Sequence, residues 1–375
     1  LSYEYVNIVA EAERMLMVES SMFGMLPDGS CAMKYTIPAG KAALAVTDFG
    51  ATVLGLSVPD RDGNVDDIVL GFSGLEGYLD DPACYGATIG PVANRTRGAE
   101  LTIGSQPYAL ERNDGPDSAS NLHSSLTKGL HKRLWERIED ESDGSLTLAC
   151  NLADGELGLP GNRRFTATFS LAEGQDGYRV DIRYRCESDK ETFVNMTNHT
   201  YFNLAGHASG SALDTVVAID ADSFLPIADD HAPDGRILPV AGTPFDFRTP
   251  KALGQDLCQA SVQLERGHGI DHCFCARGWE PDGKLRHALS AHDSKSGRTL
   301  DISVTTPGIQ LYPGNWLDDP EGKDGTSYRA GAGFAAEAEY FPDCAHHPSW
   351  SQPVCTPERP YEIGIAWMLG TYAQR

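Results

Sequence analysis

The sequence predicts an all-β protein, a large antiparallel β-sandwich, and three observations lead there. Apolar residues recur at every second position over several stretches, the spacing of a strand with one buried face. The 375 residues include 39 glycines and 22 prolines, which shorten helices and suit many turns. Only residues 5–17 carry a helical pattern, and it is weak.

In chain order, Leu101 and Ile103 open the series of strands, and Leu146 and Leu148 repeat the pattern. Phe165, Ala167, Phe169 and Leu171 share one parity; after Gly174-Gln175-Asp176-Gly177 the alternation resumes through Tyr178, Val180, Ile182, Tyr184 and Cys186, which predicts a hairpin. Leu300, Ile302 and Val304 follow, then Tyr361, Ile363, Ile365, Trp367 and Leu369, each run bounded by Gly, Asp, Asn or Pro. Strand signals continue from about residue 33 to 372 with no Ser/Gly linker, charge block or short repeat between them. Residues 21–375 therefore read as one domain, and residues 1–20 as an N-terminal extension of unassigned role. So many antiparallel strands must stack or close to hide their edges, which favours the sandwich and places function on its loops.

With 41% apolar and 22% charged residues, the chain can bury a sizeable core, and disorder and collagen-like repeats are excluded. Thirty Lys and Arg against 53 Asp and Glu give a net charge of −23. Such a surface repels phosphate backbones and anionic headgroups, so no nucleic-acid partner is expected. No apolar run approaches the roughly eighteen residues of a membrane span, so no membrane partner is expected either. The segment Leu1 to Met25 carries Glu4, Glu11, Glu13 and Glu19 where a signal peptide would have a basic start and an unbroken apolar stretch, although an export signal removed upstream stays open. Nine scattered cysteines are unlike a disulfide framework and point to a reducing cytoplasm.

Common catalytic strings are missing: the Gly-x-Ser-x-Gly elbow, the phosphate loop and the complete dinucleotide-binding glycine triplet. His268 and His272 enclose Gly269, Ile270 and Asp271, without the glutamate of a metalloprotease. Cys273-Phe274-Cys275 and Cys344-Ala345-His346-His347 lack finger-like spacing, so no metal is expected.

Two segments carry chemistry. Asn195-Met-Thr-Asn-His-Thr-Tyr-Phe-Asn-Leu204 packs three amides, an imidazole and an aromatic pair after a plausible strand. It fits a sugar site, whose amides bond hydroxyls while aromatic faces meet C–H surfaces; it equally fits a strand end whose Asn side chains cap their own backbone. Around Glu337 and Glu339, two apart on one strand face, the choices are a pocket, where repulsion raises one pKa, or a solvent-facing pair.

Asn195 to Leu204 closely resembles the Asn-x-Thr-Asn-His-x-Tyr-Phe-Asn-Leu signature of aldose 1-epimerases, also called galactose mutarotases. In the same order come Gly50-Ala51-Thr52, Val58-Pro59-Asp60-Arg61-Asp62-Gly63, Val69-Leu70-Gly71-Phe72, Ala93-Asn94-Arg95, Asn121-Leu122-His123, Gly269-Ile270-Asp271-His272, Pro307-Gly308-Ile309-Gln310-Leu311-Tyr312 and Pro342-Asp343. The resemblance covers about residues 21–372 and implies a β-sandwich with a cleft, an isomerase without cofactor or metal, and an aldose such as galactose or glucose as its small-molecule partner. It implies His199 as general acid and Glu337 as general base. Asn94, Arg95, His123, Asp271 and Gln310 fall on positions that hold sugar hydroxyls. A monomer or homodimer is expected.

The pattern has departures. Pro91 stands where the family often has Arg, Ser124 and Ser125 where two glycines are usual, and Glu339 where Gln is usual. The serines are expected to reshape the cleft rim or add hydroxyl contacts. A carboxylate at 339 is expected to raise the pKa of Glu337 if both point inward. Two alternatives stand beside the mutarotase. A hexose-6-phosphate 1-epimerase needs a basic phosphate pocket, for which Arg95, Arg97, Arg163 and Arg164 are candidates; a non-catalytic carbohydrate-binding protein needs neither His199 nor Glu337.

Overall fold

The hairpin expected around Gly174–Gly177 is built from strands Arg163–Gly174 and Gly177–Ser188, in register from Arg163 opposite Ser188 to Gly174 opposite Gly177. In the computed structural model, which describes residues 17–139 and 144–372, this hairpin lies within a nine-stranded antiparallel sheet. Strands Glu136–Ile138 and Ser145–Leu152 extend it on one side. On the other come Tyr361–Thr371, Arg298–Val304, Arg286–His292, Val216–Ile219 and Lys251–Ala252. The strand Tyr361–Thr371 sits inside the sheet, with Ile365 opposite Ile182 and Trp367 opposite Ile302.

The alternation decides which face is buried. Phe165, Phe169, Val180, Ile182, Tyr184, Ile302 and Trp367 all point into one apolar core. That core is shared with a five-stranded meander, Glu19–Met25, Cys31–Ala39, Ala42–Thr47, Thr52–Pro59 and Val65–Asp67, which contributes Ile37, Leu44, Val46 and Leu56. A six-stranded sheet also packs on this core, in the order Tyr201–Phe202, Phe334–Glu339, Gly308–Tyr312, His272–Cys275, Ser223–Phe224 and Leu238–Pro239. Truncating one of these fully buried side chains to Ala would cost about 2–5 kcal/mol.

The six-stranded sheet positions the site. Ile309, Leu311, Ala336 and Ala338 face the shared core, so the period of two turns Gln310, Glu337 and Glu339 to its opposite face. The helical pattern at 5–17 lies, except for Met17, outside the described residues. The first strand begins at Glu19, inside the stretch read as an extension. Among the described residues no helix is long and apolar enough to cross a membrane.

Candidate active site

A cavity of about 440 Å³ opens on the outer face of the six-stranded sheet. Glu337 forms part of its wall and stands opposite Gln310 in the strand register. His199 reaches the same cavity from the strand Thr197–His199, which is anchored to Ala87–Ile89 with His199 opposite Ala87. Its Nε2 lies 3.6 Å from Glu337 Oε1, and its Nδ1 has no hydrogen-bond partner among the described residues. The imidazole ring centre is 4.9 Å from that of Tyr201 and 5.5 Å from that of His123, the latter edge-on.

Burial displaces both groups of this pair toward their neutral forms. It lowers His199 to about 4 and raises Glu337 well above the usual carboxylate range, Asp271 adding repulsion. Imidazole with carboxylic acid and imidazolium with carboxylate hold the same number of protons. Interchange between them needs no proton from solvent, which suits a reaction that moves protons in both directions.

Two left-handed residues shape the opposite wall. Asn94 has φ 57° and His123 φ 55°. The Asn94 N–H donates to His123 Nδ1 at 3.1 Å, and the His123 N–H donates to the Asn94 carbonyl at 3.1 Å. With Nδ1 an acceptor, the neutral ring carries its hydrogen on Nε2, a donor for a ligand hydroxyl. Burial holds His123 well below the usual histidine value, so that tautomer persists at neutral pH.

Charge is arranged around Arg95. Its Nε donates to Asp114 Oδ2 at 2.8 Å and its Nη1 to Asp271 Oδ2 at 3.4 Å. Gln310 Nε2 donates to Asp271 Oδ1 at 2.6 Å, so Asp271 is held from two sides. Gln310 Oε1 is buried and has no partner among the described residues. Glu339 lies deeper, where Asn94 Nδ2 donates to its Oε1 at 3.0 Å.

Six of the seven expected site residues, Asn94, Arg95, His123, His199, Asp271 and Glu337, line this cavity; Gln310 stands behind Asp271. The side chains of the Asn195–Leu204 segment divide between the cavity and the surrounding backbone. His199 and Tyr201 face the cavity. Asn198 accepts from the Thr200 N–H at 3.1 Å and Asn203 from the Ala205 N–H at 3.2 Å, the local capping expected of a strand end, whereas Asn195 brackets the distant Tyr340 backbone. The two serine hydroxyls bond to backbone. Ser124 Oγ accepts from the Val92 N–H at 2.8 Å and donates to the Val92 carbonyl at 3.1 Å, and Ser125 Oγ accepts from the Lys128 N–H at 3.1 Å. The Pro91 carbonyl accepts from the Asn195 N–H at 2.7 Å.

Asp114, His231, Tyr312, Trp316, Asp318 and Asp319 also line the cavity and were not singled out from sequence. Tyr312 ends a matched string, which was a usable signal; Asp114 and the 61%-exposed Trp316 sit in loops without periodicity. Of the four arginines considered for a phosphate pocket, only Arg95 reaches the cavity. Arg97 is paired with Asp230 at 2.7 Å, Arg163 is buried against backbone carbonyls such as that of Glu156 at 2.6 Å, and Arg164 stands opposite Glu187 in the hairpin. His272 is turned inward, its Nε2 3.0 Å from Gln263 Oε1.

Carboxylates that accept from hydroxyls, donors that point at them, and an exposed indole at the mouth suit a hydroxyl-rich ligand on a β-sandwich scaffold. Comparison with known proteins agrees. Residues 33–366 match the family model described as aldose 1-epimerase, and the chain belongs to that family. It is 36% identical to the galactose mutarotase of Bos taurus over 351 residues, 93% of this chain and 97% of that protein. It is 34% identical to the aldose 1-epimerase of Escherichia coli over 335 residues, 88% and 92% of the two chains. Among solved structures, the GalM/aldose epimerase homologue from C. elegans superposes with a TM-score of 0.80 at 25% identity, covering 91% of this chain and all of that one.

Proposed function

We propose that this protein interconverts the α- and β-anomers of a free hexose of the galactose or glucose type, by acid–base opening and reclosure of the ring. The observation that carries the assignment is the 3.6 Å approach of His199 Nε2 to Glu337 Oε1 in the wall of the cleft. Glu337 removes the proton from the C1 hydroxyl while His199 delivers one to the ring oxygen. The C1–O bond of the ring breaks, leaving an aldehyde at C1 and a hydroxyl on the former ring oxygen. Rotation about C1–C2 presents the other face. On reclosure the released hydroxyl attacks C1 and returns its proton to His199, and Glu337 returns its own to the C1 oxygen. Each transfer of this type contributes typically 10²–10⁴-fold.

Asn94, Arg95, His123 and Asp271 hold the sugar hydroxyls, with Gln310 steadying Asp271. Free rather than phosphorylated sugar is favoured by charge: Asp114, Asp271, Asp318, Asp319 and Glu337 line the cleft, and Arg95 is already engaged by two of them. A binding protein without catalysis would have no use for a displaced imidazole–carboxylate pair. The scattered cysteines support a cytoplasmic setting.

Magnetisation transfer between the two anomeric proton signals tests this on galactose, glucose and glucose 6-phosphate. Enzyme-dependent exchange is expected for the free sugars and far slower exchange for the phosphate. Exchange no faster than in buffer for every sugar would overturn the assignment.

A further inference from the structure

In the function proposed above Glu337 must be free to accept a proton, yet a second carboxyl group shares its strand face. Glu339 lies two residues further along the strand Phe334–Glu339 and is fully buried, 0% exposed against 3% for Glu337. Its Oε1 accepts from Asn94 Nδ2 at 3.0 Å, and its Oε2 has no partner among the described residues. Among the described residues no cation pairs with it; Arg95 is held by Asp114 and Asp271. Burying a carboxylate with one donor and another carboxyl nearby costs far more than burying a neutral acid.

We propose that Glu339 is a positioning residue working as a neutral carboxylic acid: with the proton on Oε2 it fixes Asn94 through Oε1 and leaves the negative charge of this strand face to Glu337. The surrounding groups agree. Burial, then repulsion from Glu337 and Asp271, push Glu339 upward, and these outweigh the Asn94 hydrogen bond and the more distant Arg95. Cys273, Cys344 and Tyr361, which interact with it electrostatically, are each pushed up by burial and stay neutral, so none supplies a compensating charge.

The neutral acid does what a glutamine would do here, with one difference. At alkaline pH Glu339 ionises and sets a second charge behind Glu337. Glu339→Gln is therefore expected to keep kcat and the acidic limb of the kcat/KM profile, because Glu337 ionises beside a neutral neighbour in both proteins, while the alkaline limb moves to higher pH. Glu339→Ala frees Asn94 and is expected to raise KM by roughly three- to tenfold with a smaller change in kcat.

The direct test is the infrared difference spectrum of wild type minus Glu339→Gln at pH 7. A carboxylic-acid C=O band lost in the variant is the expected result, and a carboxylate band lost in its place would overturn the proposal. So would an acidic limb displaced to lower pH by Glu339→Gln, which would mean that Glu339 carried the charge. If the wild type failed to exchange anomers at all, the proposed function would fall while the infrared result still reported on Glu339.

Discussion

Two strands of this molecule carry the same alternation and put it to opposite use. On Gly177–Ser188 the polar parity holds Arg179, Asp181, Arg183, Arg185 and Glu187, which face water and pair along the sheet surface, Arg179 with Asp181 at 2.6 Å and Arg185 with Glu187 at 2.7 Å. On Phe334–Glu339 the polar parity holds Glu337 and Glu339, and every residue of the strand is buried. In water, exposed pairs of the first kind are worth about 0–1 kcal/mol. Beneath a cleft, carboxyl groups are displaced far from their ordinary ionisation. What covers the polar face, and not the residues on it, separates a solvated surface from reactive groups.

The histidines repeat the contrast. His287, on the strand Arg286–His292, is raised to about 8 by hydrogen bonding to Asp301 and then to Asp220, whereas burial lowers His199 to about 4.

The largest expected effect lies in the cleft. His199→Asn and Glu337→Gln should each lower kcat by at least about 10²-fold in stopped-flow mutarotation assays, and Arg185→Ala should leave kcat unchanged. A catalytic effect of Arg185→Ala would break the contrast between the two strands. Next comes Arg95→Met, which leaves Asp114 and Asp271 without their shared cation. It should raise KM at least about tenfold and cost about 2–3 kcal/mol in urea unfolding, less than a fully buried pair because some solvent reaches all three side chains.

The histidine contrast is smaller but sharper. Proton-detected titration should place His199 near 4 and His287 near 8. The stability consequences have opposite signs. Because the folded state holds His199 neutral, its contribution is intact above about pH 6.5 and is lost as pH falls toward 4. The His287 contribution is intact below about pH 6.5 and is lost as pH rises through 8. Replacing each histidine with Gln should flatten only its own side of the stability–pH curve, and a swap of the two windows would break the comparison. Smallest of all, Arg179→Ala should change stability by less than about 0.5 kcal/mol.

The long strands were legible because period two needs length. The hairpin register from Phe165 opposite Cys186 to Leu171 opposite Val180, and the strands at Leu101, Leu146, Leu300 and Tyr361, lie where alternation placed them. Two-residue strands such as Tyr201–Phe202 and Ser223–Phe224 are too short to show a period, yet both belong to the sheet that carries the cleft. The strand Glu19–Met25 is mostly exposed and so lacks an apolar parity. In the site, the shared parity of Glu337 and Glu339 was visible, but what meets them comes from distant parts of the chain, His199 beside Glu337 and Asn94 beside Glu339. Asp114 was invisible: its contact with Arg95 spans 19 residues of loop and short strand, and no spacing rule joins them. The partners of the serine hydroxyls at 124 and 125 were not legible either, because the contact of Ser124 with the Val92 backbone joins residues 32 apart.

The central claim, ring opening by the His199–Glu337 pair, is tested most directly by polarimetry at pH 7 started separately from pure α- and pure β-D-galactose. The account predicts that wild-type protein brings both solutions to one final rotation at a rate proportional to enzyme concentration, and that Glu337→Gln at equal concentration is slower by at least about 10²-fold. Wild-type rates indistinguishable from buffer, or a Glu337→Gln rate close to wild type, would contradict it.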